Sequence, residues 1–131
     1  MIRINKKILF PELSYRLTGI FFKIHKKLGR FCKEQQYADE IELILKEKNI
    51  PYKREFEIDN FKRNRIDFLI DDKIILEIKA KRFISKEDYN QTQRYLQTSG
   101  KDLGMIINFR NSYLKPKRIL NIKNYSDNSD R

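Results

Sequence analysis

Apolar residues recur along this chain with two periods, and the change from one to the other divides it in two. From Pro11 onward, Leu13, Leu17, Ile20, Ile24 and Leu28 fall at helical spacing, with Phe21 beside them. Pro11 suits a first helical turn and Glu12 an N-terminal end, while Gly29 stops the helix after the basic turn His25, Lys26, Lys27. A second helix runs from about Lys33 to Lys48. Its apolar face is Tyr37, Ile41, Ile44 and Leu45, with Glu34 one turn before Tyr37 on the same side, and Asn49-Ile50-Pro51 breaks it.

Beyond Pro51 the pattern becomes that of strands. Tyr52 to Ile58 alternates loosely, with Phe56 and Ile58 on one face, and a turn region begins at Asn60. Two strands follow at about 64–70 and 74–81. Ser85 is a good N-cap, with Glu87 and Asp88 in the first turn of a third helix that reaches about Thr98 before Gly100. Leu103 to Phe109 is a nearly continuous apolar run, as a buried strand requires. Residues 116–122 suggest an edge strand, and residues 1–10 a short strand or an ordered arm. The order α-α-β-β-β-α-β predicts an α/β fold, a mixed sheet with helices packed on it. Residues 1–122 form one expected domain and 123–131 a frayed polar tail.

Charge interrupts the apolar pattern at one place, Arg65 to Ala80, where Asp67, Glu77 and Lys79 lie in otherwise apolar strands. Turn length decides which side chains share a face. A two-residue turn at Asp71-Asp72 would set Asp67 opposite Leu76. A three-residue turn, Asp71-Asp72-Lys73, pairs Ile70 with Ile74 and puts Asp67 across from Glu77, with Lys79 on the same face. It leaves Ile66, Phe68 and Ile70 against Ile74, Leu76 and Ile78 as an uncharged opposite face. The hydrophobic pattern selects this register. Two carboxylates one strand apart suit Mg²⁺ or Mn²⁺, which would polarise a phosphate and acidify a bound water, while Lys79 could orient that water or offset transition-state charge. The same three residues could instead form a cross-strand salt bridge on a solvated sheet face. Glu34, likewise, is a satisfied N-terminal acid or part of a site. His25, the one histidine, suits packing or capping better than ligation.

The formal net charge of +11, with 36% of residues charged, favours polyanionic partners, nucleic acid before an anionic membrane surface. A single cysteine, Cys32, excludes an intrachain disulfide and a cysteine-based zinc site. It fits a reducing, cytoplasmic setting. No apolar run approaches a bilayer span, and no signal-peptide core follows the basic N-terminus.

In Glu12–Gly19 (E-L-S-Y-R-L-T-G), H-K-K-L-G at His25–Gly29, I-P-Y-K-R-E-F, D-D-K-I-I-L-E-I-K-A and L-G-M-I-I-N-F, the chain resembles the GxxExxY family of the PD-(D/E)XK nuclease superfamily, from Glu12 to about Ile119. The motif falls on F-C-K-E-Q-Q-Y, where Glu34 and Tyr37 match and Phe31 replaces the glycine; that departure bears on the loop entering the second helix. The resemblance implies a restriction-endonuclease-like α/β/α core and a metal-dependent nuclease. It implies a catalytic centre of Asp67, Glu77 and Lys79, with Glu34 completing the metal site. A RecB-like Q-x-x-x-Y element on the third helix, Gln91 and Tyr95, would hold the site or contact nucleic acid, as would Tyr37. The expected partner is nucleic acid, DNA first, with no membrane; a homodimer is compatible with the sequence but unsupported by it. The rival function is a catalytically silent nucleic-acid-binding or assembly subunit of the same fold.

Overall fold

A computed structural model describes residues 9–58 and 65–125. Residues 1–8 of the expected strand or arm at 1–10, the turn region from Asn60 to residue 64 and the end of the tail at 126–131 lie outside the described residues. The elements run α1 (Pro11–Leu28), α2 (Glu34–Glu47), β1 (Tyr52–Glu57), β2 (Arg65–Ile70), β3 (Ile74–Lys79), α3 (Lys86–Ser99), β4 (Leu103–Asn108), β5 (Lys117–Leu120) and α4 (Ile122–Tyr125). The five strands form one sheet in sequence order, antiparallel throughout except for the parallel pair β3–β4. α3 is the crossover that a parallel pair requires.

Helices cover both faces. The larger core cluster joins Leu17, Ile20, Phe21 and Ile24 of α1 and Tyr37, Ile41 and Leu45 of α2 to Phe68, Ile70, Leu76 and Ile78 of the sheet. Each such side chain contributes about 1.5–3 kcal/mol on burial. The smaller cluster packs Tyr95 and Leu96 of α3 on Leu69 and Ile75. This is an α/β/α sandwich, consistent with a restriction-endonuclease-like core. β4, buried at all six positions, lies between β3 and β5. Its Gly104 permits close contact with α3: a Cβ there would lie 2.8 Å from Thr92 Cγ2.

The hairpin register is Ile70↔Ile74, Leu69↔Ile75 and Phe68↔Leu76, as the three-residue turn demands. Asp71 and Asp72 both take left-handed φ values (52° and 57°), and the Lys73 amide bonds the Ile70 carbonyl at 2.9 Å, a mirror-image turn that follows the twist of the strands.

Two expectations need correction. Ile66 does not share the face of Phe68 and Ile70; it joins the α3-side cluster with Leu69 and Ile75. The alternation is interrupted at Asp67, which the β1–β2 pairing passes over between Arg54↔Phe68 and Phe56↔Ile66; Glu55, the residue passed over on β1, is itself left-handed (φ 52°). Part of the tail is also ordered. α4 is preceded by Asn121, 1% exposed, whose backbone and side-chain oxygens accept the amides of Tyr125, Asn124 and Lys123. Asn124 then bonds Asp102 at 2.8 Å.

Candidate active site

β2 and β3 stay paired only as far as Phe68 and Leu76. One residue further, the ladder is replaced by side chains. The Asp67 amide donates to Glu77 Oε2 at 3.1 Å, and the Ile78 amide donates to Asp67 Oδ2 at 2.7 Å. Each carboxylate thus occupies a place where a backbone carbonyl would otherwise accept, satisfying an amide that parting strands would leave bare. Each keeps its other oxygen outside these two bonds.

The seam is poorly hydrated. Glu77 is 6% exposed, and burial, then the charge of Asp67, pushes its carboxyl up to about 8. Burial likewise raises Asp67, opposed by the Ile78 amide and Lys79 and reinforced by Glu34. Nearby negative charge is therefore under-compensated at this point.

Lys79, two residues after Glu77 on β3, feels both carboxylates and lies 3.8 Å from Asp88 Oδ1. Asp88 is the residue that sequence reasoning missed. It was expected only to favour the α3 N-terminus, and it does cap it, through bonds with Ser85. It also holds Lys81 Nζ at 2.6 Å. Burial would raise its pKa, but hydrogen bonds from Lys81 and Ser85 outweigh that and leave it below the usual range. A capping acid with a lysine seven residues upstream was the available signal, too permissive to read without the fold.

The other expected residues divide. Glu34 is exposed at the start of α2, not on a buried edge; it borders a small cleft with Asp67, Arg54 and Glu55. Tyr95, 5% exposed, has its hydroxyl pKa raised by burial and then by Glu77 and Asp67. Tyr95 thus lies near the seam on its α3 side. Tyr37 is fully buried, stacked on Phe109 (4.2 Å between centroids, 7° between planes), and its hydroxyl donates to the Gly29 carbonyl at 2.6 Å and accepts the Cys32 amide at 3.2 Å. Fully buried, with its hydroxyl engaged, it presents no surface to a nucleic acid and ties the α1–α2 connection together. His25 is structural as well, its Nε2 bonding the Asn111 carbonyl at 2.9 Å.

Two carboxylates in one seam, a lysine at its edge and a helix acid near the rim thus come together from β2, β3 and α2. A family model, the PD-(D/E)XK nuclease superfamily, matches residues 11–120. The chain belongs to the PD-(D/E)XK nuclease superfamily. No curated protein and no solved structure matches it.

PD-(D/E)XK nucleases typically use divalent metals. The residues present fit such an ion. Asp67 and Glu77 are hard oxygen donors, and their raised pKa values mark a place where a positive charge would be stabilising. Among the described residues no three His, Cys, Asp or Glu side chains form a ready-made cage. Magnesium, which retains several waters, does not require one.

Proposed function

We propose that the protein hydrolyses phosphodiester bonds of nucleic acid, DNA in the first place, with Mg²⁺ or Mn²⁺, as a member of the GxxExxY branch of its superfamily. The observation that carries this reading is the pairing of Asp67 and Glu77 in one seam, each bonded to the other strand's backbone, beside Lys79. A bound divalent ion would polarise the phosphate and lower the pKa of a coordinated water.

Asp67 and Glu77 are the proposed metal ligands and Glu34, at the rim, a third, through water or after a side-chain rotation. Lys79 is the catalytic cation. Steadied by Asp88, it places its ammonium to orient the attacking water or to meet charge developing on the phosphate. Gln91 and Tyr95 position the carboxylates, and the superfamily's nuclease character together with the net charge of +11 supports a polyanionic substrate.

The test is cleavage of labelled single- and double-stranded DNA and RNA with Mg²⁺, Mn²⁺ or EDTA. Metal-dependent cleavage lost in Asp67→Ala and Lys79→Ala is the expected result. Salt-sensitive binding without cleavage under any of these conditions would favour the silent binding subunit.

A further inference from the structure

Past the C-terminal ends of β3 and β4 lies a cleft of about 470 Å³ that the proposed catalytic seam does not use. Arg30, Arg82, Arg110 and Lys115 line it, and no acidic residue does. Among the described residues none of these four cations is paired with a carboxylate. Beside the seam, by contrast, Arg54 has two acids, and Lys79 and Lys81 share Asp88. Four unmatched cations around one concavity make an anion site by charge.

Two further observations point the same way. Arg110 Nε is buried without a hydrogen-bond partner, an uncommon condition for a guanidinium nitrogen. Arg30 and Arg110 also lie over one ring, Phe31, at 4.7 and 5.1 Å from its centroid, so two like charges are held close together.

The cleft is built, not incidental. Asn108, 3% exposed at the end of β4, accepts the Lys81 amide (3.1 Å) and donates to the Lys81 carbonyl (2.7 Å) and to Asn111 Oδ1 (3.2 Å). The exits of β3 and β4 are thereby tied together. Arg30 Nε donates to the Arg110 carbonyl at 2.8 Å, and His25 holds Asn111, so α1 braces the same loop. The lining therefore needs little reorganisation to receive a ligand.

Aromatic exposure decides which polyanion. Phe83 is 73% exposed, Tyr113 84%, and both line the cleft; Phe31 at its edge is 72% exposed. A duplex presents phosphates and sugars to such a wall and gives exposed phenyl rings nothing to stack on. Unpaired bases have free π-faces, and stacking them on aromatic side chains beside backbone-binding cations is how single strands are held.

We propose that this cleft is a binding subsite for a single-stranded nucleic-acid segment, phosphate on the arginines and an unpaired base on Phe83 or Tyr113. Arg82 is three residues from Lys79, so their Cα atoms are at most about 11 Å apart. The segment is then contiguous with the strand presented to Asp67 and Glu77, and in this sense the inference rests on the proposed nuclease reading. Substrates with unpaired nucleotides beside the scissile bond are favoured over continuous duplex.

Binding of fluorescent oligothymidine and of a duplex of equal length is measured by anisotropy in EDTA, so that turnover plays no part, over a range of salt. Phe83→Ala/Tyr113→Ala weakens oligothymidine binding about tenfold or more and leaves duplex binding and the salt slope unchanged. Arg82→Ala/Lys115→Ala lowers the slope of log K against log salt by about 0.7 per lost phosphate contact. All four positions are at the surface, and circular dichroism verifies the fold of each variant. If the aromatic pair binds oligothymidine like the wild type, or loses both ligands equally, the subsite is overturned. If the cleft variants behave as expected but the wild type cleaves nothing with Mg²⁺ or Mn²⁺, the subsite stands and the nuclease reading fails. Cleavage of single strands by the cleft variants with unchanged KM overturns the subsite alone.

Discussion

The backbone amide of Asp67 donates to the side chain of Glu77 across the point where β2 and β3 part. Two acids that repel each other are thus held together by backbone donors rather than by their own attraction. The seam is stable because the amides need acceptors, and its charge is not fully compensated.

The first prediction concerns pH. The Glu77 carboxyl, ordinarily at 4.5, is pushed up to about 8 in the folded protein by burial and by Asp67. Its contribution to stability is full below 4.5, declines as pH rises and is lost above about 8. Glu77→Gln, neutral at every pH, should melt with the wild type near pH 4 in EDTA and above it at pH 8.5, by a margin on the order of 5 °C. Thermal scans at the two pH values check this; equal melting temperatures at pH 8.5 would refute the burial of a charge.

A divalent ion should reverse that difference. Mg²⁺ or Mn²⁺ stabilises the wild type by mass action and leaves Glu77→Gln nearly unchanged. Because protons must leave for the ion to enter, calorimetric affinity should strengthen between pH 6 and 8.5. Affinity independent of pH would mean that Glu77 is not a ligand.

Lys79 and Asp88 should separate catalysis from positioning. Lys79→Ala is expected to lower turnover by about 10²–10³, the usual effect of removing one group that stabilises developing charge. Asp88→Asn retains a capping side chain but withdraws the charge that steadies Lys79 and Lys81. It should reduce kcat about tenfold and alter its pH profile while leaving KM nearly unchanged. An unchanged profile would make Asp88 a helix cap alone.

Gly104→Ala should destabilise the fold by about 1–3 kcal/mol through overpacking against Thr92 Cγ2. Adding Thr92→Ser removes that methyl group and should restore part of the loss. Urea midpoints of the two variants test it, and strictly additive losses would exclude the contact.

Tyr37→Phe deletes one hydroxyl that both donates to Gly29 and accepts from Cys32. A loss of about 1–2 kcal/mol is expected in urea unfolding, with nucleic-acid binding unaffected. A binding defect at unchanged stability would return Tyr37 to the ligand surface.

Much of this was legible in the residues. The stripe Leu17, Ile20, Ile24 made α1, the burial of Leu103–Phe109 made β4, and Ser85 and Gly100 bounded α3, because local periodicity and capping chemistry act over a few residues. The hairpin register was legible for the same reason: only an odd turn keeps Phe68, Ile70, Ile74 and Leu76 on one uncharged face.

Tertiary structure alone decided the rest. That the strands part at Asp67, that Ile66 turns to α3, that Asp88 on a helix meets Lys79 on a strand, and that Arg30 and Arg110, 80 positions apart, share one phenyl ring are results of how elements pack. Local pattern states which face of an element is apolar. It does not state which side chains from distant elements are brought to one place, and the chemistry of this protein depends on those meetings.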